Sequence, residues 1–378
     1  MIRLIHLANY GSTNIGNGAL IQGTERVVSE DFPCDIEWIP AAWDDYTFGH
    51  STFDQQFVDL VNTHDGLWVN GAVALNGREY LRHTGSRLDL PLELWPEIKK
   101  PIIVHGISHR HWKGQAYHHL AQLRALVDHL TTHPLRRLAV RNDGTHAWLI
   151  NLLDLNAAQA AKIKTIPDPA LFVVPDNSRP YPELSADRPN ILISLNDEDA
   201  ETRYPDSETR GRIIRGLAKT AQTLYNELNT RIVLVPHYFD DFRMLSDFIE
   251  ACSPDFAHQQ VVSTGLLKVD AAGEFYGRYA QADLAISMRV HSMSPAIGMG
   301  VPVVPLVSQD RMWNFLREGD LADLAVDAFA SDFSSKLLAL ARTALQEPDT
   351  LRQRLQQATA RMRKQMKAFN QETATLFE

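Results

Sequence analysis

The sequence is poor in cysteine and in basic charge. Only Cys34 and Cys252 occur among its 378 residues, far apart and without a CxxC pair, which excludes a disulfide framework and favours a reducing compartment. Acidic residues outnumber basic ones by 46 to 37, and the formal net charge is −9. This balance argues against general affinity for nucleic acid or for an anionic membrane, so local groups must meet any anionic substrate.

Long apolar runs are also missing. No segment approaches the ~18 apolar residues that a bilayer-spanning helix needs. The apolar start, residues 1–9, is too short for a signal peptide and has no small-residue cleavage site. We therefore expect a cytoplasmic protein without a membrane span, whose attachment to the inner face of the membrane would be made through its substrate or a partner.

What is present is the alternation of short apolar runs with helical periodicity, which is typical of parallel sheets covered by helices. The predicted strands are residues 2–8, 35–40, 66–70, 101–106, 137–141, 164–167, 190–195, 231–236, 261–264, 283–287 and 301–306. The length exceeds one ordinary core, and a proline-rich stretch at residues 173–189 breaks the pattern as a linker would.

The predicted fold is therefore α/β, with two doubly wound Rossmann-like domains facing a cleft in a GT-B-like arrangement. The N-terminal domain is expected to span residues 1–175 and the C-terminal domain residues 188–345. A long helical pattern at residues 346–378 is expected to pack back on the domains, with a partner-binding helix as the alternative.

Ligands of doubly wound sheets bind beyond the carboxyl ends of the strands, so the loops there are the candidates for chemistry. A glycine-rich loop follows the first strand and opens a helix, and in it Asn14, Gly16 and Asn17 allow close approach and capping. A tight turn without a ligand is the alternative. Asn70 and Gly71 form a second candidate close-approach loop after the third strand.

The next loop is rich in histidine and basic residues, with His105, His109, Arg110, His111 and Lys113 inside ten residues. A metal site is one interpretation of the three histidines. A basic loop facing an anionic substrate is favoured, because no carboxylate or cysteine stands at ligand spacing and the cations would repel a metal. We predict no metal.

In the second half, His237, Asp240 and Asp241 follow a strand. The segment Ile286-Ser-Met-Arg-Val-His-Ser-Met-Ser places Arg289 and His291 where a strand gives way to a helix. Helix N–H groups and an arginine cooperate there to hold an anion, and a histidine can exchange a proton near neutral pH.

Several short motifs occur in a characteristic order: Asn14-Ile-Gly-Asn, Arg141-Asn-Asp, Asp168-Pro-Ala, Arg289-Val-His and Gly300-Val-Pro-Val. In this order they resemble the motifs of the polysaccharide pyruvyl transferase family, over roughly residues 2–327. The resemblance implies transfer of a pyruvyl group from phosphoenolpyruvate, as donor substrate and without a further cofactor, to two hydroxyls of a sugar, forming a cyclic ketal. The implied acceptor is a saccharide or lipid-linked saccharide of a cell-surface polysaccharide.

The resemblance also implies an acceptor side in the N-terminal domain, residues 1–175, a donor side in the C-terminal domain, residues 188–345, and roles for individual residues. Arg289 would clamp the donor's carboxylate or phosphate, with Ser292 beside it, and His291 would act as general acid or phosphate ligand. His237, or a residue of the histidine-rich loop, would remove the hydroxyl proton. The predicted acceptor-binding residues are Asn14, Gly16, Asn17, Asn70, His105, His109, His111 and Arg141.

The chain departs from the family pattern at three points. The family has an aspartate in place of Asn17, a glycine triplet in place of Asn70-Gly-Ala, and an arginine where a strand here ends in Ser194-Leu-Asn196. Arg203, from the same loop as Asn196, is the expected substitute for that arginine, so both are predicted on the donor side.

Two other functions compete with pyruvyl transfer. One is a GT-B glycosyltransferase that uses a nucleotide-activated sugar in cell-surface glycan synthesis, for which Glu274 or Asp283 would serve as the ribose-binding carboxylate. The other is a non-catalytic sugar-binding member of the fold, which the three substitutions favour and the retention of Arg289 and His291 disfavours.

Overall fold

The computed structural model of the chain describes residues 1–112 and 114–378. Lys113, which we assigned to the basic loop, lies outside the described residues. The strands are β1 Ile2–Ala8, β2 Ile36–Ala42, β3 Gly66–Asn70, β4 Val73–Leu75, β5 Ile102–His109, β6 Arg136–Arg141, β7 Lys164–Ile166, β8 Asn190–Ser194, β9 Arg231–Leu234, β10 Val261–Ser263, β11 Leu284–Ser287, β12 Val303–Val307 and β13 Val326–Asp327.

Helices follow most of the strands. They are α1 Ile15–Asp31, α2 Trp43–Thr47, α3 Gln55–Asn62, α4 Leu120–Thr132, α5 Thr145–Leu153, α6 Ala157–Ala160, α7 Ala200–Arg203, α8 Ser207–Leu228, α9 Asp241–Ala251, α10 Pro254–Gln260, α11 Ala272–Ala280, α12 Val290–Gly298, α13 Asp310–Glu318, α14 Phe333–Gln346 and α15 Pro348–Ala374.

The described chain divides into two compact units. Unit 1 comprises residues 1–12, 20–169 and 362–378, and unit 2 comprises residues 13–19 and 170–361. The glycine-rich residues 13–19, which we predicted in the N-terminal domain, are thus grouped with unit 2, and the end of the C-terminal helix is grouped with unit 1.

Each unit is built on one parallel sheet. In unit 1 the strand order is β2-β1-β3-β5-β6-β7, with β4 paired to the end of β5. In unit 2 the order is β10-β9-β8-β11-β12-β13. Strand order reverses at β1/β3 in unit 1 and at β8/β11 in unit 2, and such switch points are where doubly wound sheets bind ligands. The predicted α/β class with two doubly wound sheets is confirmed.

The central strands are buried along their length, because helices cover both faces of a parallel sheet. All residues of β3, β8 and β11 are buried, which explains their unbroken apolar or small-polar sequences. Polar side chains therefore concentrate in the turns beyond the strands, which is where candidate sites must lie.

One strand prediction was too short at its carboxyl end. Sequence reasoning ended the fourth strand of unit 1 at residue 106, whereas β5 continues to His109. The physical reason is β4, which pairs alongside and extends the sheet, with Val73 opposite Ser108 and Leu75 opposite His109. His109 therefore lies at the end of a strand and not in the following loop, while His105 lies within the strand, inside the predicted bounds.

The proline-rich segment predicted as a linker packs onto unit 2. The main-chain N–H of Asp176 donates to the carbonyl of Gly273 at 2.8 Å, and the buried Tyr181 hydroxyl donates to the carbonyl of Asp176 at 2.6 Å. The guanidinium of Arg278 lies 4.7 Å from the centre of the Tyr181 ring. These contacts hold the segment against α11 in a fixed conformation.

The last turns of α15 are bound to unit 1 through polar contacts. The fully buried Asn370 side chain shares a hydrogen bond with Nε2 of His105 at 3.2 Å and donates to Asp31 at 2.9 Å. Arg363 donates to both carboxylate oxygens of Asp31, at 2.8 and 2.7 Å. In the described part of the chain, no helix has the length and apolar character needed to cross a membrane.

We predict that Asn370→Ala destabilises the protein by about 1–3 kcal/mol, because it leaves a buried imidazole nitrogen without its partner. Gln371→Ala is the matched control, since residue 371 is exposed on the same helix turn. Urea unfolding of both variants measures the effect. Equal midpoints for the two variants would show that this buried contact does not stabilise unit 1.

Candidate functional site at the carboxyl edge of the unit 2 sheet

The predicted donor residues gather where β11 gives way to α12. Arg289 is the extended N-cap residue of α12, and His291 and Ser292 lie in the first turn of that helix. The hydroxyl of Ser292 lies 2.6 Å from that of Ser194 and 2.6 Å from that of Ser287. These hydrogen bonds join the start of α12 to the ends of β8 and β11. The first-turn N–H groups of a helix favour an anion at this place.

Arg289 is buried and paired with two carboxylates. Its Nε donates to Asp241 at 3.0 Å, its Nη2 also donates to Asp241, and its Nη1 donates to Glu198 at 3.1 Å. Although burial alone would lower it, these two carboxylates hold the pKa of Arg289 above its usual value. The guanidinium is therefore a permanent cation with a fixed orientation.

Asp241 is the group that fixes this orientation. Its carboxylate is fully buried and also accepts the main-chain N–H groups of His237 at 2.9 Å and Tyr238 at 3.1 Å. The sequence showed Asp241 after a strand but gave no sign of its partner, because Arg289 lies 48 residues away. Glu198 was missed entirely, since a single glutamate in a polar loop carries no motif.

A second layer of ion pairs surrounds this centre. Asp197, which is buried, accepts from Arg210 at 2.7 Å and from Arg243 at 3.1 Å. Its own main-chain N–H donates to Asp241 at 3.4 Å. The loop after β8 is thus anchored next to the Arg289 carboxylates.

The side chains of Asn196 and Arg203 donate hydrogen bonds to main-chain carbonyls around Arg289 and Glu198. Asn196 donates to the main-chain carbonyl of Met288 at 3.3 Å, immediately before Arg289. Arg203 is buried, its Nε donates to the carbonyl of Glu198 at 2.9 Å, and its Nη1 lies 3.5 Å from the hydroxyl of Ser308. The residue expected to replace the family arginine therefore lies at the end of α7 and donates to the loop that contains Glu198.

His237 lies below the surface of unit 2. Its side chain is 0% exposed, and Nε2 shares a 2.9 Å hydrogen bond with the hydroxyl of Tyr279. Burial, with the charges of Arg289 and His291 adding to it, holds the pKa of His237 well below its usual value. The imidazole is therefore neutral and enclosed by the protein, and its role as a base stays a prediction.

The glycine-rich loop packs directly on these residues. The main-chain N–H of Ile15 donates to the carbonyl of His237 at 3.1 Å, and that of Gly16 donates to the Asn14 side chain at 3.1 Å. A Cβ atom on Gly16 would lie 2.5 Å from Nδ1 of His291. The loop residues Asn14, Gly16 and Asn17, predicted on the acceptor side, are therefore grouped with the predicted donor residues.

The remaining predicted residues belong to unit 1. Asn70 is buried, accepts from Thr24 at 2.9 Å and from the N–H of Gly71 at 2.6 Å, and so fixes its own turn. Arg141, also buried, pairs with Asp168 at 3.4 Å.

The three histidines predicted as one loop have different surroundings. His105 is buried against Asn370, and burial lowers its pKa to about 3. The His109 ring stacks on Trp148 at 4.4 Å, and its Nδ1 shares a 2.9 Å hydrogen bond with Thr145. His111 shares a hydrogen bond of 2.7 Å with the carbonyl of Gln115.

Comparison with known proteins gives a family match and a set of similar folds. The model of the family described as polysaccharide pyruvyl transferase matches residues 14–310. No curated protein matches the chain. Similar solved structures include a putative UDP-N-acetylglucosamine 2-epimerase from Listeria monocytogenes, with a TM-score of 0.56 at 12% identity over 94% of this chain and 91% of that one.

Two transferases are also similar in structure. A glycosyltransferase from Rickettsia africae has a TM-score of 0.53 at 10% identity, over 98% of each chain. ADP-heptose lps heptosyltransferase II from E. coli has a TM-score of 0.51 at 14% identity, over 92% of this chain and 100% of that one. At such identities the similarity concerns the fold alone, which is GT-B-like.

We predict that Gly16→Ala displaces the His291 ring and lowers the melting temperature, because the added methyl has no room beside the imidazole. Gly265→Ala is the control, since nothing lies within 4 Å of a Cβ at that position. Differential scanning calorimetry of both variants gives the comparison. A Gly16→Ala protein as stable as the control would contradict the packing described here.

We also predict loss of stability as the pH falls below about 6.5. The pKa values of His105 and His237 are depressed in the folded protein, so the unfolded chain binds protons that the folded chain does not. Each such histidine then lowers the free energy of unfolding by about 1.4 kcal/mol for every pH unit below about 6.5, which is the pKa of histidine in the unfolded chain. Urea midpoints measured from pH 7.5 to 5 test this, and His105→Gln should flatten the dependence.

Proposed function

The chain belongs to the polysaccharide pyruvyl transferase family, and we propose that it transfers a pyruvyl group from phosphoenolpyruvate to two hydroxyls of a saccharide. The product is a cyclic ketal, and phosphate is released. The observation that carries the proposal is the Arg289-Val-His start of α12, which lies inside the family match and at the switch point of the unit 2 sheet. The acceptor in this proposal is a saccharide or lipid-linked saccharide of a cell-surface polysaccharide.

On the donor side, phosphoenolpyruvate brings a carboxylate and a phosphate that need fixed cations. Arg289 supplies a permanently charged guanidinium, and the first turn of α12 supplies N–H groups. An anion at Nη1 takes the place that Glu198 occupies, while Asp241 keeps its hydrogen bonds to the other side of the guanidinium. Glu198 thus competes with the donor for Arg289.

His291 is assigned the role of general acid. As the imidazolium it protonates C3 of phosphoenolpyruvate, and C2 becomes an oxocarbenium-like centre. A first hydroxyl of the acceptor adds to C2 and loses its proton to a base. The second hydroxyl then displaces phosphate from C2, and its proton leaves with the phosphate. This sequence needs no cofactor besides the donor.

The proposal includes a cytoplasmic location. It is supported by the two separated cysteines, which suit a reducing compartment. Attachment to a membrane would then depend on a lipid-linked acceptor or on a partner protein.

We expect phosphoenolpyruvate to raise the melting temperature of the wild-type protein. Arg289→Lys should reduce this shift, because a lysine keeps the charge and loses the planar fork that binds a carboxylate or phosphate. Glu198→Gln should increase it, because a competing negative charge is removed from Nη1. Thermal shift titrations compare each variant with and without ligand, so a change in basal stability cancels.

Arg243→Lys is the control. In the part of the chain that the structure describes, the ion pairs of Arg243 are made with Asp197 and Asp240, and not with the carboxylates that bind Arg289. A panel of nucleotide sugars forms the second arm of the experiment. Stabilisation by a nucleotide sugar with no response to phosphoenolpyruvate would overturn the proposal in favour of glycosyl transfer. No response to either ligand would favour a non-catalytic protein.

A further inference from the structure

His109 ends β5 beside the turn that joins β6 to α5, and all of these elements belong to unit 1. The strands β5 and β6 are parallel neighbours. Because the carboxyl ends of parallel strands lie at one edge of the sheet, His109 meets the turn residue Asp143 and Thr145, the first residue of α5, at that edge. Doubly wound sheets bind their ligands there.

The hydrogen bonds of the Thr145 hydroxyl determine which atom of each pair is the donor. The hydroxyl donates to Oδ1 of Asp143 at 2.5 Å, since a carboxylate oxygen accepts. This bond uses the one proton that a threonine hydroxyl has. The main-chain N–H of His109 at 3.2 Å and Nδ1 of His109 at 2.9 Å therefore both face an oxygen that accepts.

It follows that the imidazole of His109 carries a proton on Nδ1. In a neutral imidazole one nitrogen donates and the other accepts, so the lone pair lies on Nε2. A ring turned by about 180° would direct a C–H group at Thr145 and lose this hydrogen bond. The ring of Trp148 stacks on that of His109 at 4.4 Å, with 11° between the planes, and restricts the orientation of the imidazole further.

Asp143 is itself held in place on both carboxylate oxygens. It is buried, and its Oδ2 accepts from the hydroxyl of Ser108, the buried residue before His109 in β5. Its Oδ1 also accepts from the main-chain N–H of Thr145 at 3.3 Å. A carboxylate fixed in this way keeps the Thr145 hydroxyl directed toward it. The tautomer of His109 is therefore set by the fold of unit 1.

Aromatic side chains lie next to His109. The centre of the Trp148 ring is 5.7 Å from that of Tyr117 and 6.0 Å from that of His111. All four rings are partly exposed. Small-molecule sites combine aromatic surface of this kind with a few placed polar groups. A ligand that fits has an apolar face for the rings and an O–H group for Nε2, and a saccharide ring offers both.

We propose that Asp143 and Thr145 are positioning residues that hold His109 with its proton on Nδ1, and that Nε2 accepts a hydrogen bond from a hydroxyl of a saccharide bound to unit 1. The saccharide rests on the proposed function, in which it is the acceptor. The tautomer rests on the hydrogen bonds alone. The sequence indicated His109 as an acceptor-binding residue, but it did not indicate which nitrogen would accept.

The tautomer can be measured on the full-length protein with ¹⁵N-labelled histidine, by long-range ¹H–¹⁵N NMR at about pH 8, where an ordinary imidazole is neutral. His109→Gln assigns the signals. We expect the proton on Nδ1 in the wild type and in Thr145→Ser, which keeps the hydroxyl. In Thr145→Val the proton should move to Nε2 in most molecules, because Nδ1 has lost its acceptor. Thr131→Val is the control, since the Thr131 hydroxyl donates to the carbonyl of Val127 within α4.

Ligand binding is followed through the Nε2 signal of His109 during titration with the methyl pyranosides of glucose, galactose and mannose. Tetrahydropyran, which has the same ring without hydroxyls, is the control ligand. We expect a pyranoside to shift this signal in the wild type and in Thr145→Ser. It should bind about tenfold more weakly to Thr145→Val, where an N–H replaces the accepting lone pair, and normally to Thr131→Val.

The outcomes separate the parts of the proposal. A wild-type ring protonated on Nε2 would overturn the tautomer, and this measurement decides even if Thr145→Val fails to fold. A proton that stays on Nδ1 in Thr145→Val would overturn the positioning role of Thr145 and Asp143. An Nε2 signal that no pyranoside shifts, or that tetrahydropyran shifts equally, would overturn the saccharide as ligand. Failure of the proposed function shows itself separately, as wild-type protein that phosphoenolpyruvate does not stabilise.

Discussion

The buried ion pair between Arg289 and Asp241 is the interaction on which the carboxyl edge of unit 2 depends. Asp241 accepts from the guanidinium and from the main chain at His237 and Tyr238, so it ties the turn after β11 to the turn after β9. Through Glu198, the same guanidinium reaches the loop after β8. Removing one partner from such a buried pair costs about 3–5 kcal/mol, because the other charge is left unpaired. The positions of the three loops are therefore coupled.

His237 extends this coupling to the glycine-rich loop. Its N–H is bound to Asp241, and its carbonyl accepts from Ile15, so one residue links the ion pair to the start of α1. Gly16 then lies against the ring of His291, where only a glycine leaves room. An imidazole confined in this way has few rotamers to lose when a ligand binds. His237, whose role as a base stays a prediction, thus holds through its main chain the loop that confines His291.

The sequence predicted strands and family well, and side-chain environments poorly. Hydrophobic alternation located β1 and β3 to the residue, and the order of short motifs identified a family that the match over residues 14–310 confirms. The predicted place of His109 was wrong, because the pairing that extends β5 comes from β4, a strand of three residues with no periodicity to detect. Partners such as Glu198 and Asp241 could not be predicted, because a contact between loops distant in sequence leaves no local pattern. The assignment of sites to substrates stays a prediction.

The carboxylates of the two units show why hydrogen bonds matter more than residue type. Both carboxylate oxygens of Asp241 accept hydrogen bonds, and they hold Arg289 and the adjacent main chain in place. Asp44 has a shielded oxygen without a donor, and the nearby Arg87 directs its own hydrogen bonds elsewhere. A carboxylate whose two oxygens accept several hydrogen bonds fixes the positions of the groups that donate to it. In the described part of the chain, the same side chain is therefore fully paired at Asp241 and has an unpaired buried oxygen at Asp44.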